Sequence, residues 1–158
     1  MLKLIDDHFE EALVVFLLSA MSLLIGAQVF MRYVMSDSLT WSEELARYCF
    51  IWATYIGVSY GVKRKAHICV TAVSERLTGK AQHYLHIFAY LIFGMFAFLV
   101  MKEGWALSMK IFGFGQKSSS LGIYMGWIYL APTVSFGLVV IRLLQAIAEE
   151  IRCIGRGA

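Results

Sequence analysis

The densest run of groups able to do chemistry is Trp41-Ser42-Glu43-Glu44-Leu45-Ala46-Arg47. Two carboxylates, a hydroxyl and a guanidinium within two helical turns could bind an ion, pass a proton or pair with charges on a neighbouring surface. Glu43 and Arg47 stand at i and i+4 with the acid first, an orientation worth about 0.2–0.5 kcal/mol on an isolated helix. Thr40 and Glu43 have capping-box spacing, in which a hydroxyl and a carboxylate satisfy the first free amides of a helix. Acids there also suit the positive end of the helix dipole. Two readings stay open on spacing alone: a capped helix start with an interfacial Trp, or a docking surface for partner subunits.

Other reactive types are sparse. His83 and His86 share a helix face at i and i+3, and His67 and His8 fall on the same side of the chain's layout, yet a metal or haem site needs further ligands at matching depth. They read as interfacial histidines. No Walker loop, nucleophile elbow or cavity-forming carboxylate pair is present, so the sequence implies neither an enzyme nor a bound cofactor. Cys49 lies in an apolar run and Cys69 and Cys153 in basic segments, which favours free thiols over a disulfide.

The elements that must position these groups are set by composition. Of 158 residues, 59% are hydrophobic and 16% charged, with a mean hydropathy of +0.68, against roughly 45–50% and about 25% in soluble domains. Lipid is therefore the solvent for most of the chain. Spanning helices need about 20 mostly apolar residues, and charge-free runs occur at 12–31, 48–62, 81–101 and 118–141. Extending the short second run back to Trp41 gives 41–62, with Glu43, Glu44 and Arg47 at the interface. The expectation is an all-α integral membrane protein of four transmembrane helices in a single membrane domain, 1–158. Leu2, Ile5, Phe9 and Ala12 alternate with charges ahead of the first run, as in a short amphipathic helix on the membrane surface, although a polar lead-in turn fits as well.

The net charge of +3 does not point to nucleic acid, because Lys and Arg gather at the ends of apolar runs, where headgroups and orientation signals act. The acidic first segment lacks the basic n-region of a cleaved signal peptide. Nine Lys and Arg residues fall on the side of the two termini and the Lys63-Arg64-Lys65-Ala66-His67 connection, and five on the other. Both termini are thus expected in the cytoplasm, and Trp41 with its glutamates in the periplasm.

Inside the runs the polar groups are Gln28, Thr54, Ser59 and scattered hydroxyls, with no charged relay and no matched pair of broken helices. Small residues at spacings of four (Ala53, Gly57 and Gly61; Gly122 and Gly126; Ser22 and Gly26) permit close helix approach, within the chain or to a partner. Pro132 is expected to kink the last helix.

The stretch from Leu39 to Val70 resembles the signature region of the small membrane subunit of tripartite ATP-independent periplasmic (TRAP) transporters. The W-S-E-E-L-A-R block, the aromatic span, small residues, a basic cluster and a His-Ile pair are represented by Trp41, Ser42, Glu43, Glu44, Arg47, Lys63, His67 and Ile68. Ala131, Pro132 and Arg142 extend the likeness over nearly the whole chain; Thr71 stands near where family members often carry Asp. The resemblance implies a bacterial inner-membrane importer of organic acids such as sialic acid or C4-dicarboxylates. In it a periplasmic binding protein captures solute, and a large multi-span subunit moves it by a sodium-coupled elevator. The small subunit packs against the large one as scaffold, and sodium binds the large partner. Trp41, Ser42, Glu43, Glu44, Arg47, Gly57, Gly61, Lys63 and His67 are the candidate interface residues; membrane lipids are further partners. Two other classes remain as alternatives. A small multidrug-type exporter needs an acid midway along the first helix, which 12–31 lacks, and the membrane anchor of a redox complex needs axial histidines in facing spans.

Overall fold

The computed structural model describes residues 2–37, 39–63 and 80–155. The fold is all-α: α1 (Leu2–Val34), α2 (Thr40–Lys63), α3 (Lys80–Gly113) and α4 (Gly126–Gly155). In lipid the helix is the element that satisfies every backbone group within its own segment. At 1.5 Å per residue, the 33 residues of α1 and 34 of α3 reach about 50 Å, well beyond a hydrocarbon core of about 30 Å. Helices α1, α3 and α4 are long and apolar enough to cross a membrane. Helix α2 is long enough but less apolar.

The helices are ordered in space α1–α2–α4–α3. Backbone packing joins α1 to α2, α2 to α4 and α4 to α3 among the described residues, and α1 also reaches α4 through the side chains of Glu10 and Arg142. The result is an open row, one helix thick. Its densest packing is a cluster of Val62, Tyr90, Ala97, Phe136, Val139 and Leu143 contributed by α2, α3 and α4. Small side chains let α3 and α4 approach closely. A Cβ on Gly104 would lie 2.9 Å from Thr133 Oγ1, and one on Gly126 would lie 2.6 Å from the Phe112 ring. The buried Ser108 hydroxyl donates to the Gly126 carbonyl at 2.9 Å, fixing the first turn of α4 against α3.

Several boundaries differ from those expected. The amphipathic segment at the start of the chain is no separate helix; it continues unbroken into α1, since nothing in 2–12 breaks a helix. Helix α2 does begin at Thr40, so extending the second run back to Trp41 was right. The third helix passes Met101 and takes in Lys102 and Glu103, because charges at a helix end need only reach the interface. The fourth begins at Gly126 rather than Ser118. Residues 114–125 form a tight hairpin instead, with an antiparallel bridge between Lys117 and Tyr124. Ser118 N–H donates to the Ile123 carbonyl at 2.8 Å and Met125 N–H to the Gln116 carbonyl at 2.9 Å. Gly115 and Gly122 take φ of 63° and 67°, the left-handed region that glycine enters without penalty. The Gly122/Gly126 pair is therefore not a helical stripe. Helix α4 runs through Pro132 without interruption.

Candidate functional site

The hairpin and the first turns of α2 form one polar assembly, and its hub is Glu44. One carboxylate oxygen accepts from Ser120 N–H at 3.0 Å and Leu121 N–H at 3.2 Å, and the other from the Tyr48 hydroxyl. A side chain 76 residues away in sequence thus ties down the free amides of the hairpin. Tyr48 is buried and also touches Met125 Sδ at 3.4 Å. Glu43 points elsewhere: it accepts from Gln28 of α1 at 3.4 Å and pairs with Arg47 at 3.4 Å. Both partners of that pair are largely exposed, so it holds little energy by itself. The capping box is not formed. Ser42 donates instead to the Leu39 carbonyl at 2.8 Å, and Glu43 spans two helices.

Helical geometry explains how the Trp41–Arg47 block divides. Successive residues turn by about 100°, so Ser42 and Glu44 turn into the structure while Glu43 and Arg47 share an outer face. Phe50, Thr54, Gly57 and Gly61 continue that face at spacings of four and three. Phe50 and Thr54 are exposed, and a Cβ on Gly57 or Gly61 meets nothing within 4 Å. Among the described residues nothing packs on Gly57 or Gly61, whereas Ala53, grouped with them by spacing, is buried. Trp41 is exposed near the same end, and Lys63 closes the last described turn of α2. His67 and Ile68 lie outside the described residues.

Between α2, α4 and the hairpin lies a cavity of about 530 Å³, with Glu44, Arg47 and Lys117 on its polar side and Ile51, Tyr55 and Ile128 on its apolar side.

Two further polar clusters occupy the opposite end of the row, and charge placement gave no notice of either. Glu10 of α1 is buried and accepts from Arg142 Nε of α4 at 3.1 Å and from the Ser59 hydroxyl of α2 at 3.3 Å. One carboxylate thereby joins three helices. Its other oxygen, Oε2, is buried without a partner among the described residues. In the second cluster, His83 and His86 of α3 both turn Nδ1 to Glu150 of α4, at 2.6 and 3.3 Å. An ionised carboxylate there requires both ring nitrogens to donate. The histidines are inter-helix ties, and no three His, Cys, Asp or Glu side chains converge on a metal position among the described residues. The sequence places Glu10 in the charged lead-in to the first apolar run and Arg142 at the end of the last, but gives no sign that the two meet.

Long apolar helices, aromatic residues beside a polar hairpin and charges gathered at both ends define a multi-pass membrane protein. The chain belongs to the DctQ component family of the tripartite ATP-independent periplasmic transporters, whose model matches residues 21–153. It is a transporter permease component and not an enzyme. It is 30% identical over 157 residues to the isethionate TRAP transporter permease protein DctMQ of Oleidesulfovibrio alaskensis, covering 96% of this chain and 25% of that one. Two Vibrio cholerae proteins are also similar. The C4-dicarboxylate small permease protein DctQ is 32% identical over 99 residues, 63% of this chain and 43% of its own. The sialic acid small permease protein SiaQ is 34% identical over 82 residues, 52% of this chain and 47% of its own. The chain thus spans between a quarter and about half the length of these relatives. Family membership sets aside the exporter and redox-anchor alternatives.

Proposed function

We propose that this chain is the small, static membrane subunit of a sodium-coupled importer of organic anions in a bacterial inner membrane. It forms a single membrane domain of four spans with both termini cytoplasmic. Its partners are a large permease subunit, which binds sodium and moves the solute, and a periplasmic binding protein that delivers it.

The observation that carries this reading is the open row of helices. With backbone packing only between neighbours in the order α1–α2–α4–α3 among the described residues, and side-chain ties such as Glu10 to Arg142 reaching one helix further, the row resembles a wall built to support something else. Its polar groups serve to tie helix to helix. In the Oleidesulfovibrio permease the counterpart of this chain is a quarter of one longer polypeptide, which supports a larger permease as the thing supported. The three relatives are named for isethionate, C4-dicarboxylates and sialic acid, all organic anions, and a solute of that class is the natural candidate. The α2 face from Glu43 to Gly61 is the docking face: it is open, central in the row, and small enough at Gly57 and Gly61 for a partner helix to come close.

The deciding experiment is reconstitution in vesicles under a sodium gradient, with this chain alone, the large subunit alone, and both together, each with binding protein and solute. Uptake should require the pair. Sodium-driven uptake by this chain alone would overturn the supporting role, and full uptake by the large subunit alone would overturn its necessity.

A further inference from the structure

The cavity at the hairpin end is lined in two chemically distinct parts. Ile51 and Tyr55 from the middle of α2, with Ile128 and Pro132 from the first two turns of α4, form an apolar wall. Arg47 and Lys117 stand on the polar side. The acid in the lining, Glu44, is held by the Tyr48 hydroxyl and the amides of Ser120 and Leu121 rather than by either cation, and its one negative charge leaves the two cations of the lining in excess. Arg47 has a single exposed contact to Glu43 at 3.4 Å, and Lys117 lies 5.0 Å from the Tyr124 ring centroid. The same bonds that occupy Glu44 hold the hairpin, so the rim of the cavity is set before anything enters.

The level of this cavity in the membrane follows from its neighbours. Trp41, Tyr124, Trp127 and Tyr129 are all exposed around it, and exposed Trp and Tyr mark the headgroup layer of a membrane protein. Cations at headgroup level above an apolar wall are complementary to a phosphodiester attached to an acyl chain. A volume of about 530 Å³ falls in the range of roughly 300–1,000 Å³ found for small-ligand sites. We propose that this cavity is a phospholipid site, with the phosphate bound by Arg47 and Lys117 and an acyl chain laid along Ile51, Tyr55, Ile128 and Pro132. A free phosphate ion would satisfy the cations and leave the wall bare. The site shares Arg47 with the proposed docking face, whereas Lys117 and Ile128 belong to the hairpin and α4, so the Ile128→Trp variant tests the lipid apart from the transport reading.

The test is native mass spectrometry of the full chain, extracted from membranes in mild detergent with whatever subunits accompany it. Wild type should retain a phospholipid adduct. The Arg47→Ala/Lys117→Ala double variant should lose it by about tenfold or more, as expected for the loss of charge-assisted contacts. Ile128→Trp, which fills the apolar side and leaves both cations, should lose it as well. After delipidation, dioleoyl-phosphatidylglycerol should raise the melting temperature of wild type, and inorganic phosphate should not. Adducts retained equally by both variants would overturn the site, and an equal shift from phosphate alone would overturn the lipid. If the variants cannot be recovered, a phospholipid with a diazirine in its acyl chain should label wild type on the peptides holding Ile51 and Ile128. Labelling confined to α1 and α3 would overturn the proposal.

Discussion

Glu44 was read from the sequence as an interfacial charge and Glu10 as one of the charges of the amphipathic lead-in, and each proves to be a junction. Glu44→Gln should keep one carbonyl acceptor for the hairpin amides, and Glu44→Ala should leave only the Ser118 hydroxyl, which accepts from Leu121 N–H at 3.2 Å. Hydrogen exchange at Ser120 and Leu121 should therefore rise in the order wild type, Gln, Ala, and unchanged exchange in both variants would show that the hairpin holds itself. Glu10 sits in a different setting, because its partner Arg142 is also mostly buried. Removing one member of such a pair leaves a buried charge alone, typically at a cost of roughly 3–5 kcal/mol, whereas replacing both by apolar residues is often neutral. Glu10→Leu should lower the melting temperature in detergent markedly and Glu10→Leu/Arg142→Met should recover most of it. A double variant as unstable as the single would refute direct pairing. The exposed Glu43–Arg47 pair was the easier one to foresee because i and i+4 is a local rule, while Glu44 to Ser120 and Glu10 to Arg142 depend on how distant helices meet.

Among the elements, the start of α2 could be read because assigning Glu43, Glu44 and Arg47 to the interface left a run of sufficient length. The start of α4 could not. Ser118, Ser119, Ser120 and Gly122 carry no charge, so counting charges joined them to the helix, although their hydroxyls and the left-handed φ of Gly122 suit a turn. The glycines separate in the same way. Gly57 and Gly61 look like packing residues by spacing, yet among the described residues nothing lies within 4 Å of a Cβ at either; Gly126 does pack, against Phe112. Gly57→Ala should then hold or raise the stability of the isolated chain by about 0.5–1 kcal/mol, the usual effect of replacing glycine inside a helix. Gly126→Ala should lower it, since the new methyl meets an aromatic ring. Thermal unfolding of both variants decides this, and a destabilised Gly57→Ala would mean that the stripe is buried in the chain after all. On the docking reading, Gly61→Leu should leave the melting temperature of the chain alone intact and reduce recovery of the large permease in co-purification.

At the scale of the whole molecule, membrane residence and the all-α class could be read from apolar runs, but the spatial order α1–α2–α4–α3 could not, because side-by-side placement has no local signature. That order bears on topology. The Glu10 junction brings the beginning of α1, the end of α2 and the middle of α4 to one level, and the Glu150 junction brings the beginning of α3 to the later part of α4 on the same side. At the opposite end, Tyr48 near the start of α2 meets Met125 just before α4. Helix α2 thus runs alongside α1 and α4 between the same two levels. Where they cross the bilayer it crosses with them, less apolar than its neighbours because both flanks and one end are covered. On the proposed topology four crossings would return the chain to the side on which it began, and the nine-to-five excess of Lys and Arg would put that side in the cytoplasm. A reporter fused after Ala158 should therefore be active in the cytoplasm, and one inserted at Gly115 in the hairpin should be active in the periplasm. Both reporters in one compartment would mean that α4 does not cross, and a periplasmic C-terminus would invert the whole row.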